Sequence, residues 1–261
     1  YTPIEEAKNS FGLITSYFYL ENKYETCTNC SLDPAENNLV KLINSQLFEQ
    51  SIFRASSFLY SNDKKNSYLL TSDHVCQSLE EIKKKDENFA KMSQAILDNI
   101  ILENFKENNF SILNYNMKFI TSIVDFEGNT HLFDSILKRN KEKDLCIIST
   151  KDVWGKNAKF ADKSCEYGEQ IFNISASGGF YRKNAVPFRK GYFSGKYSGE
   201  IIGERMLGEV NLYTLKIRPG ASGSAVFNSK GRVCGNVNIA YTTLDLSLGA
   251  TLFDIKLFTA K

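Results

Sequence analysis

The feature that most constrains this chain is a serine between two glycines, directly before an apolar run. The segment is Arg218-Pro219-Gly220-Ala221-Ser222-Gly223-Ser224-Ala225-Val226. Glycine permits a tight turn with outward-facing amides, and the amides of Gly220 and Ser222 could then converge on a negative oxygen. This setting is typical of a serine whose hydroxyl attacks a substrate. The alternative is an ordinary turn of small residues, since Gly/Ser turns are common.

Candidate partners for that hydroxyl occur earlier in the chain. A hydroxyl is a weak nucleophile until a base takes its proton, and a third group must orient that base. Of the two histidines, His74 ends an apolar, β-prone run, and Asp144 opens a second apolar run, Asp144-Leu-Cys-Ile-Ile148. The rival base, His131, lies inside a strand pattern, where we expect a structural role. The order His74, Asp144, Ser222 therefore provides a base, an orienting carboxylate and a nucleophile.

Three segments resemble those of trypsin-like serine proteases and follow the family's order. Thr71-Ser-Asp-His74-Val resembles the family's TAAH segment, Lys143-Asp144-Leu-Cys-Ile-Ile resembles D-[IL]-A-[LV]-[LI], and Gly220-Ala-Ser222-Gly-Ser resembles G-[DN]-S-G-[GS]. The stretch from Ser222 to Gly235 is similar to the bacterial glutamyl-endopeptidase branch. The stretch Ile217-Arg-Pro-Gly-Ala-Ser-Gly is similar to the HtrA/Deg branch. The resemblance extends from about Phe53 to Phe253.

The resemblance implies an all-β fold with added helices. It consists of two six-stranded antiparallel β-barrels of the trypsin-like type, with the catalytic cleft between them. It also implies a serine endopeptidase with the triad His74, Asp144 and Ser222, whose oxyanion hole uses the amides of Gly220 and Ser222. Neither a metal nor a cofactor is required. Where digestive members carry an aspartate that pairs with a new N-terminus, this chain has Ala221, so we do not expect that mode of activation.

The same resemblance predicts how a peptide or protein substrate binds. The segment Val237-Asn238-Ile239-Ala240 resembles the one that pairs with an extended substrate. The pocket for the side chain before the scissile bond should involve four residues: Ile217, Asn238, Ala240 and Gly249. Glutamyl endopeptidases have a histidine where this chain has Val237, and Ile217 suggests a preference for small aliphatic side chains. Lys216 would invert that preference, in favour of acidic side chains, if its ammonium reached the bottom of the pocket.

The motifs divide the chain into three parts. We predict an N-terminal extension packed on the core over residues 1–50, a first barrel over 51–155 and a second barrel over 156–261. A charged segment, residues 77–108, interrupts the first barrel, and its apolar residues have the spacing of an amphipathic helix. A surface helix that covers the barrel is the simpler interpretation. A flap or a partner contact is the alternative.

Composition excludes several classes of function. The 261 residues are 42% hydrophobic, enough for two barrel cores, and no apolar run reaches the length of a membrane span. The 32 basic and 30 acidic residues give a net charge of +2, so nothing indicates a nucleic-acid partner. The six cysteines leave the redox compartment open, although a secreted or periplasmic location is suspected. Cys146 and Cys234 lie in apolar strands, where small core residues are expected.

Two other functions compete with the active protease. One is a catalytically silent trypsin-like domain that binds peptides or a partner protein in the same cleft. The weaker one is a redox or zinc protein built on Cys27 and Cys30, which form a lone C-x-x-C in a polar stretch. Two ligands do not make a zinc site, so a local disulfide or free thiols are the expectation.

Overall fold

The computed structural model describes residues 3–22, 53–84, 115–198 and 208–260, with positions 41 and 44. The chain divides into two compact units. The first contains Tyr1–Ile14, Arg54–Leu79 and Ser122–Lys261, and the second contains Thr15–Phe53 and Glu80–Thr121. In the second unit, the hydroxyls of Ser16 and Thr121 share a hydrogen bond of 2.9 Å. The candidate site lies wholly in the first unit.

Six antiparallel strands form a closed barrel of order β1-β2-β3-β6-β5-β4. A short helix precedes it, and another helix follows β3. These elements are α1 (Pro3–Ser10), β1 (Phe11–Asn22), β2 (Phe53–Asn62), β3 (Ser67–Thr71), α2 (Asp73–Lys84), β4 (Tyr115–Asp125), β5 (Thr130–Asn140) and β6 (Leu145–Thr150). The turn between β2 and β3 is closed by the Asp63 carboxylate, which accepts the amides of Lys65 and Asn66 at 2.7 Å. Because β3 pairs with β6, the ends of these strands bring residues 71–76 close to residues 144–146.

The second sheet has seven strands in the order β11-β10-β7-β8-β9-β13-β12. A single 3-10 turn follows β7, and a helix closes the chain. The elements are β7 (Gln170–Ile174), the 3-10 turn (Ser177–Gly179), β8 (Phe188–Ser198), β9 (Glu209–Tyr213), β10 (Ala225–Asn228), β11 (Val233–Asn236), β12 (Ile239–Tyr241), β13 (Leu246–Gly249) and α3 (Leu252–Thr259). The Thr251 hydroxyl caps α3 by accepting the amide of Asp254.

Each sheet encloses its own apolar core. In the barrel, consecutive residues of several strands are buried, and the core includes Leu13, Phe58, Leu70 and Ile148. The second sheet and α3 share a cluster of Ala161, Cys165, Ile171, Phe193, Tyr213, Leu215, Ile217, Ala221, Val226, Cys234, Val237 and Leu252. Burial of this much apolar surface is the main force that holds each sheet together.

The predicted fold class, all-β with added helices in a two-barrel arrangement, is confirmed. The second sheet differs in detail, because it has seven strands rather than six. Residues 11–22, which fall in the predicted extension, form β1 of the first barrel. Residues 85–108 of the predicted insertion lie outside the described residues, as do Cys27 and Cys30. Among the helices described, none is long and apolar enough to cross a membrane.

Within the described residues, two disulfides join segments distant in sequence, Cys76 to Cys146 and Cys165 to Cys234. The expectation that Cys146 and Cys234 are unbonded core residues was therefore wrong, although both are fully buried. The expectation failed because sequence spacing does not reveal disulfide connectivity. Cys76 bonds to Cys146 on β6, the neighbour of β3 in the barrel.

Candidate active site

His74 lies in the first turn of α2, where two of its nitrogens contact the Asp144 carboxylate. Its backbone amide donates to Asp144 Oδ1 at 2.9 Å, and its ring Nδ1 lies 2.9 Å from Asp144 Oδ2. An ionised carboxylate can only accept, so Nδ1 carries a hydrogen, and in the neutral ring Nε2 is then the nitrogen with the lone pair. This is the tautomer that a general base requires.

Asp144 is held in a backbone conformation that few residues adopt. Its φ is +48°, in the left-handed region, which aspartate tolerates better than most side chains. Its amide donates to Lys141 O at 3.2 Å, and its carbonyl accepts the Asn238 Nδ2 amide at 2.9 Å. Only 3% of its side chain is exposed. The carboxylate therefore meets His74 from a fixed, desolvated position.

Two further bonds attach the start of α2 to the barrel. The buried Asp73 carboxylate receives both Nε and Nη2 of Arg139 on β5, at 2.6 and 2.9 Å. The Cys76–Cys146 disulfide joins the same helix turn to β6. Each bond lies within two residues of His74 or Asp144. The pair is therefore positioned by a covalent bond and a bidentate ion pair besides its own hydrogen bonds.

The Ser222 turn depends on two glycines with positive φ. Gly220 has φ +96° and Gly223 has φ +87°. A Cβ on Gly220 would lie 2.4 Å from Ala176 O, and one on Gly223 would lie 2.2 Å from Thr71 Oγ1. No other residue could take either position without moving the backbone.

Two amides of this turn, those of Gly220 and Ser222, are the candidate donors of an oxyanion hole. The Pro219 carbonyl accepts the Gly178 amide at 2.8 Å, and the described chain contains no cis peptide bond. In a trans peptide the next N–H points away from the carbonyl, so the Gly220 amide faces away from Gly178. Within the described residues, neither this amide nor that of Ser222 donates to any acceptor. Two unused donors two residues apart are what an oxyanion hole requires.

A profile of the trypsin-like peptidase domain matches residues 55–235. The chain belongs to the trypsin-like peptidase domain family. The matched segment contains His74, Asp144 and Ser222. No curated protein matched the chain.

Solved structures of other proteases share the fold of this trypsin-like domain. The active form of the Rv3671c protease from M. tuberculosis is 14% identical, with a TM-score of 0.59, covering 99% of this chain and 83% of that one. Its inactive form is 13% identical, with a TM-score of 0.57 and coverages of 98% and 90%. The serine endoprotease from Yersinia pestis is 12% identical, with a TM-score of 0.56 and coverages of 98% and 63%. At such identities the likeness demonstrates the fold only.

Ser222 itself does not bond to the histidine in this trypsin-like domain. Its Oγ donates to the Asn238 carbonyl at 3.4 Å, a long hydrogen bond. Among the described residues, His74 Nε2 has no hydrogen-bond partner. The structure thus brings His74 and Asp144 together, whereas the third predicted contact, from Ser222 to His74, is not formed.

Asn238 connects the elements that carry the three residues. Its carbonyl accepts Ser222 Oγ, its Nδ2 donates to Asp144 O, and its Oδ1 accepts Ser72 Oγ at 2.7 Å. Asn236 Nδ2 also donates to that Oδ1, at 2.7 Å. The side chain is only 3% exposed. Asn238 was predicted only as a residue of the substrate pocket, and the one signal in the sequence for these bonds is a polar residue inside an apolar stretch.

The other predicted pocket residues surround the same part of the second sheet. Ile217 belongs to the apolar cluster, and Ala240 packs against it. Gly249 pairs with Asn211 across β13 and β9, and a Cβ there would lie 1.7 Å from Asn236 O. Their role in substrate binding stays a prediction. Lys216 forms an exposed ion pair of 2.6 Å with Asp245.

His131, the rival base, has partners of its own. Its Nδ1 lies 2.6 Å from Asp152 Oδ2, and its Nε2 lies 3.4 Å from Asp125 Oδ2. The ring stacks on Trp154 with centroids 4.5 Å apart. These contacts account for a buried histidine without any catalytic role. Among the described residues, no cluster of His, Cys, Asp and Glu side chains could hold a metal ion.

Proposed function

We propose that this trypsin-like domain is a serine endopeptidase that cleaves peptide bonds through His74, Asp144 and Ser222. One observation carries the proposal: the doubly hydrogen-bonded His74–Asp144 pair accompanies a serine turn with two unused amides. A structural histidine would need no turn of this kind. The sequence around Ser222 supports a relation to the bacterial glutamyl-endopeptidase and HtrA/Deg branches, which is part of the proposal.

The proposed reaction proceeds through an acyl-enzyme. Ser222 Oγ attacks the carbonyl carbon of the substrate while its proton passes to His74 Nε2, and Asp144 stabilises the resulting imidazolium. The amides of Gly220 and Ser222 bind the oxygen of the tetrahedral intermediate. The C–N bond then breaks as His74 returns the proton to the departing amine. Water repeats the sequence on the ester and releases Ser222.

Substrate recognition is proposed at β12. In the described part of the second sheet, β12 is a terminal strand that pairs only with β13. An extended peptide could add to its other edge through main-chain hydrogen bonds. Ile217 and Ala240 would present an apolar surface to the side chain before the scissile bond, so small aliphatic residues are the proposed preference. The Lys216 ammonium is engaged by Asp245, which supports that preference over an acidic one.

The test is covalent labelling with a fluorophosphonate, which phosphonylates activated serines and needs no knowledge of the substrate. We expect one adduct per chain, located on Ser222 by peptide mass analysis. Ser222→Ala should abolish it, and His74→Ala should slow it by about 10³-fold or more. Ser135→Ala is the matched control, because Ser135 is a barrel serine that bonds to Ser149 and Asp134 instead. Its labelling should equal that of the unmodified chain.

One observation favours a second candidate, a catalytically silent domain that binds peptides. Ser222 Oγ contacts the Asn238 carbonyl rather than His74, and catalysis requires the side chain to rotate toward the imidazole. Catalytic hydrogen bonds are often long or misaligned without substrate, so this geometry does not exclude the enzyme. A folded chain that binds peptides yet gives no fluorophosphonate adduct at neutral pH would establish the silent domain.

The redox or zinc protein is the third candidate, and it requires labelling to depend on Cys27 and Cys30. The Cys27→Ser/Cys30→Ser variant tests it, and unchanged labelling of this variant would contradict that candidate.

The two disulfides support a secreted or periplasmic location. Structural disulfides persist in oxidising compartments and are rare in the cytosol. In protein taken from its source and alkylated without reduction, Cys76, Cys146, Cys165 and Cys234 should remain unmodified. Alkylation of these four cysteines would contradict the proposal. Partner binding through residues 77–108 is likewise a proposal, since most of that segment is outside the described residues.

A further inference from the structure

Ser56 on β2 is fully buried, and each of its polar atoms bonds to a segment of the candidate site. Its amide donates to Ser222 O at 3.0 Å, and its hydroxyl donates to Gly220 O at 2.7 Å. The same hydroxyl accepts the Ala176 amide at 2.9 Å, and the Ser56 carbonyl accepts Thr71 Oγ1 at 2.9 Å. In the sequence, nothing distinguishes Ser56 from its neighbour Ser57.

The direction of the two hydroxyl bonds is fixed by chemistry. The Ala176 amide can only donate, so the Ser56 oxygen accepts there, and its single hydrogen must go to the Gly220 carbonyl. The hydroxyl therefore joins two loops of the second sheet from a strand of the first barrel. Exposure at Ser56 is 0%, which keeps water from competing for either bond.

The Ser56 hydroxyl bonds to Gly220, a residue of the Ser222 turn whose backbone is little restricted. Glycine at φ +96° can move to other backbone conformations at little cost. The peptide before Gly220 is held by the Gly178 amide on the Pro219 carbonyl, and the peptide after it is held by the Ser56 hydroxyl. Ala221, fully buried, has no polar side chain that could hold the turn. Without Ser56, the peptide after Gly220 keeps only the bond from the Ala221 amide to Arg218 O. The next peptide, which carries the Ser222 amide, is held separately by Ser224 Oγ on Ala221 O at 2.6 Å.

We propose that Ser56 is a positioning residue for the oxyanion hole. Its hydroxyl, bridged between Ala176 N and Gly220 O, keeps the amides of Gly220 and Ser222 aimed at one point. This inference rests on the proposed function and deepens it. Ser56 does not touch the substrate, so its effect appears in the chemical step rather than in ground-state binding.

The next residue provides a matched control. Ser57 is 1% exposed, lies on the same strand with its side chain on the other face, and donates one hydroxyl hydrogen bond to Gly12 O at 2.9 Å. Ser57→Ala and Ser56→Ala therefore remove the same atom from equally buried places. Only the second change removes a bond to the candidate site.

The experiment measures fluorophosphonate labelling of the full chain at a series of probe concentrations, which separates the maximal rate from the apparent affinity. The phosphonyl oxygen occupies the oxyanion hole during the reaction. Loss of one oxyanion donor costs about 10²–10³-fold, so for this indirect anchor we expect Ser56→Ala to lower the maximal rate about 10–100-fold. The apparent affinity should stay within about twofold, and Ser57→Ala should keep both parameters within about twofold. Circular dichroism at the assay temperature establishes that every variant is folded.

The possible outcomes separate the two claims. If the unmodified chain is not labelled at all, the proposed function fails. If it is labelled and Ser56→Ala reacts as fast, or if Ser57→Ala slows equally, the role of Ser56 is refuted. If Ser56→Ala does not fold, Ser56→Cys keeps the volume and leaves only a weak donor. This variant should show the same selective loss of maximal rate, and an unchanged rate would refute the proposal.

Discussion

The two disulfides allow stability and activity to be separated by one comparison. Each closes a loop of almost the same length, since Cys76 and Cys146 are 70 residues apart and Cys165 and Cys234 are 69 apart. If a disulfide acts by restricting the unfolded chain, a loop of this length stabilises the fold by about 4.4 kcal/mol at 25 °C. Replacing either pair with alanines should therefore lower the free energy of unfolding by about 4 kcal/mol.

The same two changes should differ in their effect on the candidate site. Cys76 and Cys146 lie two residues from His74 and Asp144, whereas Cys234 lies in the apolar cluster of the second sheet. A displacement of about 1 Å at reacting groups costs about 10²-fold in rate. We therefore expect Cys76→Ala/Cys146→Ala to reduce fluorophosphonate labelling about 10–100-fold. Cys165→Ala/Cys234→Ala should retain the labelling rate within about threefold.

Urea unfolding, followed by circular dichroism, gives the free energy of unfolding of each variant. Labelling is measured at a temperature where both variants are more than about 95% folded. This must be verified, because proteins are only marginally stable. Unequal stability losses would contradict the chain-entropy reasoning for these loops. Equal labelling by the two variants would refute the claim that the Cys76–Cys146 bond positions His74. The comparison needs no reducing agent, so Cys27 and Cys30 do not confound it.

The remaining predictions concern single side chains. Arg139→Met leaves the buried Asp73 carboxylate without its partner and should destabilise the fold by about 3 kcal/mol in thermal unfolding; an unchanged melting temperature would contradict it. Asn238→Ala removes the amide that donates to Asp144 O. In fluorophosphonate labelling, the fold decrease in its maximal rate should exceed the fold increase in the probe concentration that gives the half-maximal rate. Burial raises the pKa of Tyr213, so its ionisation opposes folding, and stability should fall as the pH rises above about 10. Tyr213→Phe should reduce that alkaline loss, measured by urea unfolding at pH 8 and pH 11.

Motifs could predict the fold and the three candidate catalytic residues because the chemistry prescribes their neighbours. The turn around Ser222 needs glycine at two positions, since a Cβ at Gly220 or Gly223 would clash with neighbouring atoms. A base and its carboxylate come from strand ends that a barrel brings together, as β3 and β6 do for His74 and Asp144. Such requirements leave a pattern in the sequence that tolerates few substitutions.

The supporting residues leave no such pattern. Ser56 is one of two adjacent serines in a strand, and only their tertiary contacts distinguish them: Ser56 bonds to Gly220 O, whereas Ser57 bonds to Gly12 O. Asn238 is a polar residue in an apolar stretch, a description that fits a substrate pocket as well as a buried bridge. The partner of Cys76 depends on the order of strands around the barrel, which spacing along the chain does not encode. These assignments require tertiary contacts, whereas the catalytic motifs are local.

The polar bridges explain why a site between two apolar sheets keeps one geometry. Apolar contacts resist separation of surfaces but do not specify orientation, because the hydrophobic effect is non-directional. A buried hydroxyl or amide, by contrast, loses much of its stabilisation unless its partner lies at the correct distance and angle. Ser56 joins the barrel to Gly220 and Ser222, and Asn238 joins the second sheet to Asp144. The packing of the two sheets therefore also sets the relative positions of the segments that carry the candidate triad, through a few buried hydrogen bonds.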